Sequence, residues 1–256
     1  MTDARYEVRD GVGWLTFDRP KARNAMTFEM YERLYETARA VNEDPAVRAL
    51  VITGSGGAFV AGTDISQFAD FTTEEQAVAY EEKMDRILGA LEDVRVPTVA
   101  AIGGATTGGG LAIASACDLR IASADASFGM PIARTLGNCL SPGNLVRIAS
   151  LIGVARTKEL VFTARLMTAE EALRVGLVGE VVPASAVLAR AEEVARQAAS
   201  FAPLTLWATK EGLRRVRQRL LPEEGRDLIL LCYMSADFRE GVRAFMEKRK
   251  PVWRGE

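Results

Sequence analysis

The chain has 256 residues, 48% of them hydrophobic, so it can bury a large core in one α/β domain, with or without a small extension. Its 32 Lys and Arg residues and 34 Asp and Glu residues give a net charge of −2, which argues against a general nucleic-acid binder. Histidine is absent, which excludes a Ser-His-Asp triad and His-ligated metals, and three widely spaced cysteines leave no C-x-x-C site. We therefore expect no metal, and the cysteines favour a reducing compartment such as the cytoplasm.

The first half of the chain alternates short apolar strands with helices. The residues on either side of Asp10-Gly11 predict a β-hairpin, and Thr72 with Glu75 predicts a capping box for a helix that ends near Leu91. Strands that alternate with helices are typical of a mostly parallel sheet with right-handed crossovers. The predicted strands are 6–8, 12–17, 49–53, 99–102 and 119–122, and the predicted helices begin after residue 27, near residue 72 and at residue 110.

From residue 144 onwards the pattern is almost entirely helical. We predict an α/β core over residues 1–195 and a helical C-terminal oligomerisation region over residues 196–256. The uncharged stretch Val96–Cys117 is long enough to suggest a membrane span, but Pro97 and five glycines interrupt it, so we predict no membrane association. The predicted C-terminal helices are 144–152, 155–162, 169–175, 186–199, 203–218, 223–234 and 237–247.

Two glycine-rich loops follow two of the predicted strands. Residues 54–65 follow the strand at 49–53, and residues 103–111 follow the strand at 99–102 and open a helix. Glycine lets the backbone approach a ligand, and a helix start offers free N–H groups, so two such loops could aim two donors at one developing oxyanion. The alternative is that both loops are tight packing turns. Neither loop fits a dinucleotide-binding or P-loop fingerprint.

Several motifs occur in a fixed order along almost the whole chain. They include Asp18-Arg-Pro-Lys-Ala-Arg-Asn-Ala25, Ala58-Phe-Val-Ala-Gly-Thr-Asp-Ile65, Gly108-Gly-Gly-Leu-Ala-Ile-Ala-Ser-Ala-Cys-Asp118, Phe128-Gly-Met-Pro131 and Ala169-Glu-Glu-Ala-Leu-Arg-Val-Gly-Leu-Val178. The order resembles the crotonase (enoyl-CoA hydratase/isomerase) superfamily. The resemblance implies an α/β fold, a spiral of ββα repeats with a helical C-terminal trimerisation region, assembled as a trimer or a dimer of trimers.

The resemblance also implies a binding site for an acyl-CoA thioester. The backbone N–H groups of Thr63 and Gly109 would hold the thioester oxygen. No cofactor is implied beyond the coenzyme A that the substrate carries. The residues implied to bind the coenzyme A portion are Lys21, Ala22, Arg23, Ala61, Asp64 and Ile65, together with Phe245 and Lys248 from a neighbouring subunit.

The chain departs from the family pattern where hydratases carry their two catalytic glutamates. Ala112 stands at the first of these positions and Ile132 at the second. Some isomerases carry a carboxylate at a third position, and Ser141 stands there. Alanine and isoleucine cannot transfer protons, so hydration by two glutamates is not available at these positions.

Few polar residues remain near the expected acyl pocket. Arg134 and Ser141 are candidate catalytic residues, and an arginine beside a dry pocket should have a counter-charge, either from the substrate or from the protein. Thr135, Asn138 and Cys139 are also nearby, although they have ordinary structural interpretations. The acidic run Glu74, Glu75, Glu81 and Glu82 is most simply a solvated helix face.

Three functions are consistent with this sequence. The first is an acyl-CoA lyase or isomerase, of the enoyl-CoA hydratase/isomerase type, with a non-standard acid or base. The second is decarboxylation of a carboxyacyl-CoA, in which Arg134 would hold the carboxylate and the oxyanion donors would stabilise the enolate. The third is an acyl-CoA-binding protein without catalytic activity.

Overall fold

The computed structural model describes residues 3–220 and 225–255. The strands are β1 (Ala4–Arg9), β2 (Val12–Phe17), β3 (Ala49–Gly54), β4 (Thr98–Ile102), β5 (Ala105–Thr107), β6 (Leu119–Ser123), β7 (Ser127–Gly129), β8 (Leu166–Thr168) and β9 (Glu180–Val182). The helices are α1 (Phe28–Glu43), α2 (Glu74–Glu92), α3 (Gly109–Ala116), α4 (Ile132–Thr135), α5 (Pro142–Ile152), α6 (Val154–Thr163), α7 (Ala169–Arg174), α8 (Val187–Ala199), α9 (Pro203–Gln218), α10 (Arg226–Tyr233) and α11 (Ala236–Met246).

The main sheet has six strands in the order β1-β2-β3-β4-β6-β9. The β1–β2 hairpin is antiparallel, as predicted, and every other pair in this sheet is parallel. Alternate residues of β3 point to opposite faces: Leu50 and Ile52 pack in the core with α1 and α2, whereas Ala49 and Val51 pack against α8. The sheet is therefore covered on both faces, which explains its nearly continuous apolar strands.

A second sheet has three strands in the order β5-β7-β8. Its strands, like β9, contain only three residues each, too few to display a hydrophobic period, and the sequence did not predict them. Strands β8 and β9 lie between the helices predicted for the second half of the chain, at 162–169 and 175–186, where no element was predicted. The predicted α/β class with a helical C-terminal region is confirmed.

The C-terminal helices agree with the predicted ones to within a few residues. Residues 223 and 224 of the predicted helix 223–234 lie outside the described residues. The domain boundary predicted after residue 195 falls inside α8, and α8 packs on the main sheet. The capping box of α2 is one residue further along than predicted, because Thr73 and Gln76 form it.

Helix α10 packs against α2 of its own chain, and α11 packs against α10 and the turn Ile65–Phe68. Ile229, Tyr233 and Phe238 enter one apolar cluster with Phe68 and Ala77. The C-terminal region thus completes the core beside α2. Leu228 and Leu231 on α10 are exposed, and the predicted trimer or dimer of trimers stays a prediction. None of the helices in the described ranges has both the length and the apolar character needed to cross a membrane.

Candidate active site

The two glycine loops lie at one edge of the main sheet. They follow β3 and β4, which are parallel neighbours, so both loops leave the sheet at its carboxyl edge. The Phe59 N–H donates to the Gly103 carbonyl (2.6 Å), and the Thr107 N–H donates to the Val60 carbonyl (3.1 Å). Together the loops form one wall of a cavity of about 330 Å³, the front cavity, which α2, α4 and the segment 136–140 complete.

Two backbone N–H groups at this wall have no acceptor. Thr63 forms a parallel bridge with Met26, in which the flanking groups pair: Met26 N–H with Gly62 O (2.8 Å) and Asp64 N–H with Met26 O (2.9 Å). This pairing leaves the N–H of Thr63 itself unused. Gly109 is the first residue of α3, where helix N–H groups lack partners. Within the described ranges neither N–H donates a hydrogen bond, and both residues line the front cavity.

Gly109 lies directly against a tyrosine hydroxyl. A Cβ atom at this position would overlap the Tyr31 Oη atom, so no larger residue fits without movement. Tyr31 Oη is 2.8 Å from Thr63 Oγ1, and Tyr80 Oη is 3.3 Å from the same atom. Burial raises the pKa of Tyr31 to about 12, so its hydroxyl stays neutral at pH 7. The two tyrosines therefore fix the Thr63 side chain beside Gly109.

Glu81 is the acidic residue of α2 that lines the front cavity. The interpretation of the acidic run as a solvated face holds for Glu74, Glu75 and Glu82, which are exposed, but it is wrong for Glu81, which is buried. Burial raises the pKa of the Glu81 carboxyl to about 7. A hydrogen bond from Tyr233 opposes this rise, the charge of Asp85 adds to it, and the Ser141 backbone N–H opposes it. The carboxyl group can therefore gain or lose a proton near neutral pH.

Tyr233 of α10 holds the Glu81 carboxyl in place. Its hydroxyl donates to Glu81 Oε1 (2.5 Å) and accepts a hydrogen bond from Asn138 Nδ2 (3.1 Å). Tyr233 is itself buried in the aromatic cluster with Phe68 and Phe238, which restricts its ring. The C-terminal region thus contributes to the site through a side chain that the sequence analysis did not identify.

The positions that lack glutamates have apolar surroundings. Ala112 and Ile132 both line the front cavity. Ser141 is buried and does not line it: the side chain caps α5 through Asn144 N–H and donates to Asp85 Oδ1 (2.9 Å). The backbone of Ser141 nevertheless lies close to Glu81. A carboxyl group from α2 therefore reaches the neighbourhood of residue 141.

Arg134, a candidate catalytic residue, is not among the residues that line the front cavity. Helix α4 is a single turn in which Ile132 and Thr135 line the front cavity, three residues apart. Arg134 lies on the opposite side of this turn, where it is exposed and does not line the cavity. It has no buried charge to compensate.

Half of the residues implied to bind coenzyme A line the front cavity. These are Arg23, Ala61, Ile65 and Phe245, whereas Lys21, Ala22, Asp64 and Lys248 do not line it. Phe245 was expected from a neighbouring subunit, but the chain's own Phe245 is placed there because α11 folds back over its own core. Asp64 instead caps the turn Ile65–Phe68 and bonds to Arg19 Nη2 (3.1 Å).

Asn24 is a structural residue of the site that the sequence analysis missed. It is fully buried, and its Nδ2 donates to the carbonyls of Ser55 and Ala58 at 2.8 Å each, while its Oδ1 accepts from the Arg19 N–H. These bonds join segment 19–25 to the first glycine loop. Its place inside the motif Asp18–Ala25 was the one indication in the sequence that Asn24 contributes to the site.

Several known proteins are similar to this chain over almost its whole length. The profile of the enoyl-CoA hydratase/isomerase family matches residues 7–256. A crotonyl-CoA hydratase of Syntrophomonas wolfei is 36% identical over 253 residues, covering 95% of each chain. A structure of methylmalonyl-CoA decarboxylase with 2-nitronate-propionyl-CoA has a TM-score of 0.89 at 25% identity, covering 100% of this chain and 99% of the other. A monofunctional enoyl-CoA isomerase of M. smegmatis has a TM-score of 0.71 at 30% identity, covering 84% and 94%.

The names of these similar proteins contain three different reactions, namely hydration, decarboxylation and isomerisation. Similarity alone therefore does not show which reaction this chain catalyses. The family match extends over almost the entire chain, and the relatives are matched along nearly their full lengths. The resemblance to the crotonase superfamily, with its characteristic fold, is thereby confirmed. The chain belongs to the enoyl-CoA hydratase/isomerase family.

Proposed function

We propose that this enzyme isomerises an enoyl-CoA thioester, moving the double bond from the 3-position to the 2-position, with Glu81 as its single acid/base group. The observation that carries the proposal is the buried carboxyl of Glu81. Among the described residues it is the one carboxyl that lines the same cavity as Thr63 and Gly109. A pKa of about 7 suits a group that must both take and return a proton at neutral pH.

One carboxyl group is enough for this reaction. The Glu81 carboxylate takes a proton from the α-carbon, and the electron pair of that C–H bond moves toward the thioester oxygen to give a dienolate. The double bond then moves into conjugation as the same carboxyl returns a proton to the γ-carbon. The proton balance is zero, whereas hydration needs a further group to activate water, and Ala112 and Ile132 cannot do so.

In this proposal, the N–H groups of Thr63 and Gly109 donate to the thioester oxygen as its negative charge develops. The support is that both groups lack an acceptor, both residues line the front cavity, and Tyr31 and Tyr80 fix the Thr63 side chain. Donors fixed before the reaction stabilise developing charge without reorganisation, and each contributes about 3 kcal/mol.

Coenzyme A would bind at the mouth of the front cavity. Arg23, an exposed residue on the cavity wall, is suited to a phosphate, and Phe245 offers an apolar surface nearby. Lys21 adds a second positive charge next to Arg23, and Lys248 adds one after α11. Ala61 and Ile65 would contact the ligand, while Ala22 and Asp64 support the backbone that carries these residues.

Decarboxylation is the second candidate, favoured by the TM-score of 0.89 with methylmalonyl-CoA decarboxylase. Its original support was Arg134 as the carboxylate ligand, but Arg134 is exposed and outside the cavity. An ionised Glu81 would repel a substrate carboxylate in the same cavity. Isomerisation therefore accounts for more of the site.

The experiment compares three substrates and two variants. Purified protein is assayed with a 3-enoyl-CoA, with crotonyl-CoA for hydration and with methylmalonyl-CoA for decarboxylation. We expect isomerisation to be the fastest of the three and Glu81→Gln to lower it by about 10²–10⁴-fold. Glu82→Gln, an exposed neighbour on the same helix, is the matched control and should leave the rate unchanged. Faster hydration or decarboxylation, or an active Glu81→Gln protein, would overturn the proposal.

A further inference from the structure

Glu81 lines a second cavity as well as the front cavity. This rear cavity has a volume of about 490 Å³, and its lining includes Glu81, Asp85, Gly89, Ser141 and Arg147. The lining of the front cavity does not include Asp85, Gly89, Ser141 or Arg147. Glu81 therefore stands between two spaces, one that would hold the thioester and one behind it.

The spacing of residues along α2 explains this arrangement. Glu81, Asp85 and Gly89 are four residues apart in turn, so they lie in a column along one face of the helix and form a wall of the rear cavity. The neighbouring face, with Met84 and Leu88, lines the front cavity. Glu81 lies at the boundary of these two faces, which allows it to contribute to both spaces.

The rear cavity is polar where it meets Glu81. The Ser141 Oγ donates to Asp85 Oδ1 (2.9 Å), and Arg147 bonds to Asp85 (3.2 Å) and to Glu92 (3.0 Å). Opposite charges are thus paired, and the space is large enough for several hydrogen-bonded water molecules. Asp85 retains 39% exposure of its side chain, so this space reaches the protein surface.

The front cavity offers no such route once a thioester is bound. Its walls around Glu81 are formed by apolar side chains such as Met84, Leu88 and Leu140, and an acyl chain would displace water from them. Tyr233 already holds one oxygen of the Glu81 carboxyl, so a proton taken from the substrate has its path to solvent along the polar lining of the rear cavity, beside Ser141 and Asp85.

We propose that the rear cavity is a proton-exchange route, through which Glu81 trades its proton with solvent while the thioester still occupies the front cavity. This inference rests on the proposed role of Glu81 as acid/base. The carboxylate takes a proton from the α-carbon, the carboxylic acid exchanges it with D₂O to give HOD, and the resulting deuteron is returned to carbon.

Gly89 provides a way to fill the rear cavity without touching Glu81. A Cβ atom there would meet nothing within 4 Å, so Gly89→Leu should project into open space without a clash. The matched control is Gly212→Leu on α9. Gly212 is also a helical glycine with nothing within 4 Å of a built Cβ atom, and it does not line the rear cavity.

The first measurement is the deuterium content of the isomerised product in D₂O. For the wild-type protein we expect solvent deuterium in the product from a single turnover. Gly89→Leu should lower the ratio of solvent exchange to direct proton return, calculated from the incorporated deuterium, by at least about tenfold, equivalent to about 1.4 kcal/mol in the exchange barrier, at an unchanged isomerisation rate. Gly212→Leu should match the wild type. Unchanged incorporation in a folded Gly89→Leu protein would overturn the inference.

A second measurement separates this inference from the proposed isomerisation. The α-hydrogens of a saturated acyl-CoA exchange with D₂O only if a base removes them and then exchanges with solvent, and no double bond needs to move. Loss of this exchange in Glu81→Gln supports the acid/base role of Glu81. Loss of exchange in Gly89→Leu, but not in Gly212→Leu, supports the route through the rear cavity. If exchange is slowed in Gly89→Leu but no 3-enoyl-CoA is isomerised, isomerisation is wrong and the route stands. If Glu81→Gln and Gly89→Leu both exchange at the wild-type rate, the route is wrong.

Discussion

The two walls of the front cavity use different parts of the chain for their chemistry. At one wall, the backbone wall, the proposed donors are the backbone N–H groups of Thr63 and Gly109, which the parallel strands β3 and β4 position. At the other wall, the carboxyl wall, the proposed acid/base is the side chain of Glu81, which lies on α2 and accepts a hydrogen bond from Tyr233. A backbone donor depends on the path of the chain, whereas a carboxyl group can come from any element that reaches the cavity. A cavity lined by Ala112 and Ile132 can therefore still contain a carboxyl group, here that of Glu81.

Substitution at the backbone wall should have a large effect on turnover. Gly109→Ala places a Cβ atom where it overlaps the Tyr31 hydroxyl, so the loop or the tyrosine must move. We expect turnover to fall by about 10²–10³-fold, the scale for losing one oxyanion donor. Coenzyme A affinity should change less, because the segment at Lys21 and Arg23 is untouched. The measurement is turnover, coenzyme A affinity and melting temperature on the same protein.

A second substitution tests the cause of that loss. Tyr31→Phe removes the hydroxyl, and the nearest remaining ring atom is 3.3 Å from the built Cβ atom. The double variant should therefore recover part of the turnover that Gly109→Ala loses, measured against Tyr31→Phe alone. No recovery would show that the Tyr31 contact is not the reason for glycine at position 109. A folded Gly109→Ala protein with wild-type turnover would remove the oxyanion role.

The backbone wall could be predicted from the sequence to a greater extent than the carboxyl wall. Both glycine loops follow apolar strands, and the motifs around Thr63 and Gly109 indicated which residues would line the cavity. Glu81 was misassigned because it was grouped with the charges beside it. Its spacing from Ala77, Met84 and Leu88 places it on the buried face of α2, and this signal was present. Tyr233 gave no comparable signal, because its contact with Glu81 depends on how α10 packs on α2.

The carboxyl wall should also determine how stability depends on pH. Folded protein retains the Glu81 proton up to about pH 7, whereas the unfolded chain releases it near the ordinary pKa of 4.5. The folded state thus binds more protons between these values, so the free energy of unfolding falls as pH rises through this window. The effect is on the order of 3 kcal/mol.

Replacing the carboxyl group should remove this effect. Urea unfolding at several pH values should show a flatter pH dependence for Glu81→Gln than for the wild type between pH 4.5 and 7. Glu82→Gln is the control, because Glu82 is exposed on the same helix. Equal slopes for the wild type and Glu81→Gln would mean that Glu81 does not hold a proton in the folded protein at neutral pH.

The smallest effect comes from the residue that orients the carboxyl group. The Tyr233 hydroxyl bonds to the ionised Glu81 and so lowers its pKa against the larger effect of burial. Tyr233→Phe should raise that pKa by about one unit, because a hydrogen bond to a charged group contributes about 1.5 kcal/mol. The rising limb of kcat/KM against pH should move to higher pH by the same amount. Tyr80→Phe is the matched control, since its hydroxyl bonds to Thr63 and not to Glu81. It should lower the rate without moving the limb. If Tyr233→Phe lowers the rate at all pH values equally, the tyrosine contributes packing but does not set the proton affinity of Glu81.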